Sequence, residues 1–182
     1  MSYGKIYETT WWGNPVNGGW GGIYYDLAEQ IPTFIFTVQT DKTGTSNDDQ
    51  FTLPLTDNGT VDIEVNWGDG TSDTITAFDQ TEKTHTYPSI GTYEIRITGT
   101  LQGFRFNNIG DKEKILDIKN WAILEMNTSA VFRGCRNLVA TATDKPKNIT
   151  TLQNAFNSAF DFNGNLNNWD VSSVTNFGGC FF

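Results

Sequence analysis

The sequence predicts a mainly β chain. A β-sandwich is followed by a short β/α solenoid of 24–25-residue repeats, and an extended arm precedes both. Three observations predict this. Residues 61–67 alternate Val61, Ile63, Val65 and Trp67 with Asp62, Glu64 and Asn66, the period of a strand with one buried face. Trp121 and Trp169 lie 48 apart, two steps of 24, and Phe132, Phe156 and Phe181 follow one another at 24 and 25. A fixed period of this size marks stacked supersecondary units. The first 31 residues mix tyrosine and tryptophan with glycine and show neither a helical nor a sheet period.

Residues 1–31 carry Trp11, Trp12, Trp20, Tyr24 and Tyr25 among Gly13, Gly18, Gly19, Gly21 and Gly22. So much glycine opposes a stable helix, and so many aromatics oppose a solvated tail. Two readings stand. The arm folds back on its own domain, or it docks on another protein through its aromatic side chains, which concentrate at interfaces. On the second reading Trp11, Trp12, Trp20, Tyr24 and Tyr25 are the partner-binding residues.

Residues 32–107 read as all-β, with strands expected at 34–40, 51–56, 61–67, 72–76, 83–87, 92–99 and 103–106. Gly68-Asp69-Gly70 breaks the alternation after Trp67 and predicts a tight turn into the next strand. Tyr93, Ile95 and Ile97 alternate with Glu94, Arg96 and Thr98 in the same way. About seven short strands at this spacing suggest a β-sandwich.

Residues 108–182 change period. Leu152, Ala155, Phe156 and Ala159 fit one face of a short helix, and residues 165–171 fit a short strand. Lys145-Pro146-Lys147 stands where the middle unit would repeat the tryptophan. Solenoid ends need a polar cap, yet the chain stops at Cys180-Phe181-Phe182 in mid-unit. The expectation is that the natural polypeptide continues or that another chain covers this end.

The net charge of −9 is uneven: 32–107 holds 4 basic and 11 acidic residues, whereas 108–182 holds 7 of each. Without a basic stripe to neutralise phosphates, nucleic acid and anionic membranes are excluded as expected partners. Two cysteines, Cys135 and Cys180, make no disulfide framework, and no Cys/His cluster with metal-ligand spacing exists. No signal peptide is seen after Met1, and no apolar run is long enough to span a bilayer.

Four places invite a chemical reading. Asp69, with Asp57, Asp62 and Asp73 near it in sequence, raises calcium. However, Asp62 and Glu64 point to the solvent face of a strand and Asp69 sits in its turn, so a turn role is preferred. His85 stands between threonines in an expected strand and is read as a structural hydrogen bonder. As the only histidine it would have to serve any Ser or Cys triad, and no nucleophile elbow or Cys signature accompanies it. Cys135 is read as a small inward residue beside Phe132, the 24–25 register placing it and Cys180 in different columns. Three Asn-x-Ser/Thr sequons, at Asn58, Asn127 and Asn148, are treated as chance. The expectation is therefore no catalytic residue, no metal and no cofactor.

Trp67-Gly68-Asp69-Gly70-Thr71, Thr84-His85-Thr86-Tyr87 and Gly91-Thr92-Tyr93 together resemble the polycystic-kidney-disease (PKD) domain across roughly 32–107. That resemblance implies an immunoglobulin-like sandwich, and a spacer or adhesive role rather than a reaction. Some such modules bind calcium. Trp169-Asp170-Val171-Ser172-Ser173-Val174-Thr175-Asn176, Val131-Phe132-Arg133-Gly134-Cys135-Arg136-Asn137-Leu138 and Leu116-Asp117-Ile118-Lys119-Asn120-Trp121 resemble BspA-like leucine-rich surface repeats. Phe177 stands where that family usually carries methionine.

The pairing of the two resembles bacterial surface proteins and phage virion proteins, and the aromatic, glycine-rich start resembles the attachment segment of phage fibres. These likenesses imply a non-enzymatic virion structural protein, a head or tail fibre or spike. Its arm would bind capsid or tail proteins, its repeats would face a host receptor or glycan, and it would assemble as a homo-oligomer, a trimer by analogy with fibres. The alternative is a bacterial cell-surface adhesin. An accessory module of a carbohydrate-active enzyme is a third reading.

Overall fold

The structure, a computed structural model, describes residues 31–182 and, of the preceding segment, the backbone of β1 (Glu8–Thr9) and β2 (Tyr24–Tyr25). These two short strands pair antiparallel, Glu8 opposite Tyr25 and Thr9 opposite Tyr24. Trp11, Trp12 and Trp20 lie outside the described residues. The chain divides after Ile31, and residues 32–182 form one unit.

That unit is mainly β. Its strands are β3 (Phe34–Gln39), β4 (Gln50–Thr52), β5 (Val61–Asn66), β6 (Ser72–Ile75), β7 (Thr84–Thr86), β8 (Thr92–Leu101), β9 (Ile115–Asn120), β10 (Glu125–Met126), β11 (Val139–Ala140) and β12 (Asn148–Ile149). Six of them make one mixed sheet in the order β11-β9-β3-β8-β5-β6, and β4 pairs with β7 separately. The alternation read at 61–67 is what decides β5: its residues are buried and exposed in strict turn, and Trp67 beyond it is wholly buried. Across the core Phe36 meets Phe51 of the small sheet at 6.1 Å between ring centroids. The strand expected at 103–106 is reduced to one bridge, Leu55 with Phe104.

Gly99 carries β8 past β5 at φ 105, where any Cβ would collide with the Asp62 carbonyl. Glycine alone tolerates that combination of angle and approach.

No break falls at 107/108. β9, from the repeat region, pairs antiparallel with β3 of the sandwich, with two register shifts, and β11 adds parallel to β9. Phe106 N–H already donates to the Val131 carbonyl, inside the repeats. One continuous core runs from Phe34 to Cys180.

Beyond β9 the chain winds into coils stacked by backbone hydrogen bonds. Ala130, Phe132 and Gly134 N–H donate to the carbonyls of Gln153, Ala155 and Asn157, and Leu152, Asn154, Phe156 and Ser158 donate to Asn176, Gly178, Cys180 and Phe182. The steps are 23 and 24 residues. Phe132, Phe156 and Phe181 stack in a column with centroid spacings of 5.7 and 5.5 Å. Trp121 and Trp169 both turn inward and meet edge to face at 5.1 Å. The intervening coil exposes Lys145 at that place.

The expected helix through Leu152, Ala155, Phe156 and Ala159 is not formed, and no α-helix occurs among the described residues. The segment is a run of tight turns, with Ala155 N–H donating to Leu152 O, Asn157 to Asn154 O and Ala159 to Phe156 O. Asn154 and Ser158 hold φ of 54° and 59°, a left-handed backbone that a right-handed helix cannot include. The N–H groups of Leu152, Asn154, Phe156 and Ser158 go to the next coil, whereas in a helix every N–H beyond the first turn bonds a carbonyl four residues back. Turns of three residues still bring Leu152, Ala155 and Phe156 to the buried side, which is why the spacing imitates a helix.

The strand expected at 165–171 is likewise absent. Local side-chain turns replace it, with Asn165 Oδ1 accepting from Asn167 N–H and Asp170 Oδ1 from Ser172 N–H.

Candidate functional site

One polar cluster is built on the turn between β5 and β6. Trp67 N–H donates to Thr71 O and closes the turn. Gly68 sits at φ 85, its absent Cβ 2.5 Å from the Glu94 carbonyl. Asp69 turns back on the chain, its Oδ1 accepting from Thr71 N–H at 3.0 Å and Thr71 Oγ1 at 2.6 Å. Its Oδ2 lies 2.8 Å from His85 Nε2. The His85 ring stacks flat on Trp67, 4.7 Å between centroids and 6° between planes, while Trp67 Nε1 donates to Asp73 Oδ2. Tyr87 stands edge-on to His85 and stacks on Tyr93, whose hydroxyl donates to Ser89 O.

Burial pushes the Asp69 carboxyl up, but hydrogen bonds from the Thr71 hydroxyl, His85 and the Thr71 N–H outweigh it. The result is a pKa lowered to about 2. Burial, reinforced by Asp69, pushes the Tyr87 phenol well above its usual range. The Tyr87 hydroxyl has no hydrogen-bond partner among the described residues.

The pair His85–Asp69 is a fastening. In a relay the carboxylate holds one imidazole nitrogen and the nucleophile meets the other. Here Asp69 Oδ2 and the nearest hydroxyl, Thr71 Oγ1 at 3.5 Å, both face Nε2, and that hydroxyl already donates to Asp69. Asp62 and Glu64 are exposed on the opposite side of β5 from its buried residues. Among the described residues no three Asp, Glu, His or Cys side chains gather as cation ligands would. Cys135 and Cys180 are free and buried, and burial pushes the Cys135 thiol well up, away from reactivity.

A second polar cluster escaped the sequence reading. Asp111 and Lys114 are buried where β8 gives way to β9. Asp111 accepts from Thr45, Ser46 and Thr52 N–H and from Ser46 Oγ. Lys114 Nζ donates to Ser46 Oγ and to the carbonyls of Ser46, Asn47 and Gln50. Nothing in the run Asp111-Lys112-Glu113-Lys114 marks its first and last members as buried; the distant Ser46 loop supplies their partners.

The third feature is the last coil. Phe177, Phe181 and Phe182 are 52%, 58% and 87% exposed. With Leu152, Leu166, Trp169 and Val171 they line an apolar groove of about 420 Å³. The arrangement can hold an apolar chain; Cys180 also lines it, its thiol pushed up by burial.

Of the partner-binding residues read from the sequence, Tyr24 and Tyr25 are seen only as backbone opposite Thr9 and Glu8, and Trp11, Trp12 and Trp20 lie outside the described residues. No helix among the described residues is long and apolar enough to cross a membrane.

Residues 104–182 match a family described as "Mycoplasma protein of unknown function, DUF285". The match covers the coils, leaves out β3 to β8, and amounts to less than half of the chain. Neither a curated protein nor a solved structure matches.

Proposed function

We propose that this chain is a non-enzymatic structural protein of a phage virion, a head or tail fibre or spike. Residues 1–31 anchor it to capsid or tail proteins through Trp11, Trp12, Trp20, Tyr24 and Tyr25. The unit of residues 32–182 serves as stalk, an immunoglobulin-like sandwich running into BspA-like repeats directed at a host receptor or glycan. The observation that supports a stalk is the sheet running from β6 to β11, which ties sandwich and coils into one core with no hinge between them. A body of that kind transmits position rather than performing chemistry. Assembly as a homo-oligomer, a trimer, belongs to the same reading.

The test is deletion of residues 1–31. The shortened chain is expected to fold, with an unchanged melting temperature, and to be missing from purified particles. Normal incorporation would overturn the proposal.

A second reading, a bacterial cell-surface adhesin, is favoured by one observation: the family matched by residues 104–182 is described from a bacterium. It predicts display on a cell surface and saturable binding on a glycan array.

A further inference from the structure

The chain holds three Asn-Gly pairs: Asn17-Gly18, which lies outside the described residues, Asn58-Gly59 and Asn163-Gly164. Asn58-Gly59 is the tip of the loop that leads into β5, and Asp57, Asn58, Gly59 and Thr60 are all exposed. The loop is clamped at its ends and loose between them. Thr56 N–H donates to Gly103 O at 3.0 Å, Gln102 N–H donates to Thr60 O at 3.0 Å, and Thr60 N–H donates to Gln102 Oε1 at 2.9 Å. The Gly59 N–H has no acceptor among the described residues. The Asn58 amide makes one bond among them, Nδ2 donating to Thr56 Oγ1 at 3.2 Å, and that hydroxyl in turn donates to Gly103 O.

An asparagine followed by glycine carries an electrophile and a nucleophile side by side. The next backbone nitrogen can close a five-membered ring on the side-chain carbonyl carbon, and glycine, without a Cβ, leaves that approach unhindered. Ring closure requires the peptide between the two residues to rotate, so packing decides where it occurs. Gly164 is half-buried, the place of its missing Cβ 2.9 Å from Ala140 Cβ and 2.8 Å from the Phe162 ring. Phe162 is itself stacked on Phe156. The 163–164 peptide is therefore wedged against the coils. At Gly59 the nearest neighbour of that place is the Gln102 side chain, a half-exposed group that can shift between rotamers.

We propose that Asn58 is a site of spontaneous deamidation, which the fold leaves open while it protects Asn163. The Gly59 nitrogen gives its proton to a solvent base and attacks Asn58 Cγ. The Cγ–Nδ2 bond breaks, the departing nitrogen takes a proton from water and leaves as ammonia, and a succinimide closes. Water then opens the ring. Its attack at Cγ gives aspartate; its attack at the main-chain carbonyl carbon of residue 58 gives isoaspartate, with the chain running through the former side chain. Water is the co-reactant, ammonia the leaving group, and no oxidant or reductant takes part. Either product sets a second carboxylate beside Asp57, in a segment that already holds 11 acidic residues against 4 basic ones. Isoaspartate also lengthens the main chain between the Thr56 and Thr60 clamps. The outcome is an age mark on the sandwich, independent of the virion reading.

The test is to hold the 182-residue chain in warm, mildly alkaline buffer and follow it by proteolysis and mass spectrometry, which reads each Asn-Gly pair in its own peptide. The peptide bearing residues 58–59 is expected to gain the mass of an amide-to-acid exchange and to become a substrate for protein isoaspartyl methyltransferase. In the folded chain its conversion is expected to outrun that of the 163–164 peptide at least about tenfold. In urea the two rates are expected to converge, because packing no longer separates them. Asn58→Gln, whose longer side chain must close a six-membered ring, is expected to keep the parent circular dichroism and to lose the signal from the loop. An unchanged Asn58, folded-state conversion at Asn163 as fast as at Asn58, the same rate ratio in urea, or a methyl-accepting loop peptide persisting in Asn58→Gln would each overturn the proposal.

Discussion

Lys114 Nζ donates to Ser46 Oγ at 2.8 Å, and that same hydroxyl donates to Asp111 Oδ2 at 2.6 Å. Two buried side chains three residues apart therefore grip the sandwich loop around Ser46 from both its donor and its acceptor side. The loop's carbonyls at Asn47 and Gln50 have an ammonium to accept from, and its N–H groups at Thr45 and Ser46 have a carboxylate. Removing Lys114 leaves Asp111 its four donors but takes the ammonium from the carbonyls of Ser46, Asn47 and Gln50. Lys114→Met is expected to cost about 1–3 kcal/mol, because it leaves buried acceptors without a donor. Urea unfolding measures it. A cost below about 1 kcal/mol would mean that the loop carbonyls find other donors.

The Asp69 carboxyl gives a pH signature of its own. Its folded pKa, about 2, lies below the ordinary value of 3.8 for the group. The folded state thus binds this proton less readily than the unfolded state, so the stabilisation is complete above the unfolded value. It fades as pH falls from about 4 through about 2. Asp69→Asn removes the titration. The variant is expected to be less stable at neutral pH and to show a flatter urea midpoint between those limits than the parent chain. Equal slopes in the two proteins would show that other carboxyls carry the acid transition.

How far the sequence could be read follows from where its constraints are local. Val61 to Trp67 declare a half-buried strand because each residue's face is fixed by its neighbours two away. Gly68 and Asp69 declare the turn because φ 85 and an Asp side chain reaching two residues on are both local matters. The phenylalanine period survives because stacked coils must repeat their inward residue. The sheet crossing 107/108 is hidden for the opposite reason: β9 meets β3 about eighty residues away, and its register shifts spoil any alternation. The helix at 152–159 was misread because tight turns and helices both bring residues three and four apart together. What separates them is the sign of φ at Asn154 and Ser158, which neither residue type declares. Asp111 and Lys114 were illegible since their partners lie some sixty residues upstream.

Tyr87 carries its hydroxyl into the core without a partner among the described residues, while its ring is clasped between His85 and Tyr93. An unpaired buried hydroxyl is a standing cost, and its removal leaves the ring contacts in place. Tyr87→Phe is expected to be neutral or to stabilise by up to about 1 kcal/mol. Chemical denaturation of the two proteins side by side tests this. A loss of more than about 1 kcal/mol would show that the hydroxyl has a partner, such as a bound water.

Phe156 and Phe160 separate column from surface within four residues. The Phe156 ring is 1% exposed and stacks between Phe132 and Phe181, with Phe162 and Trp169 also against it. The Phe160 ring is 67% exposed, with the Arg136 guanidinium 5.2 Å from its centroid. Phe156→Ala opens a cavity at the centre of the stack and is expected to cost about 3–5 kcal/mol. Phe160→Ala gives up an exposed cation–π contact worth about 0.5–1 kcal/mol. Because sandwich and coils share one core, the loss at Phe156 is expected to lower a single cooperative transition, with fluorescence and circular dichroism reporting the same midpoint. Two separated transitions in Phe156→Ala, the sandwich surviving the coils, would mean that the sheet from β3 to β9 joins the halves in space without coupling their stability.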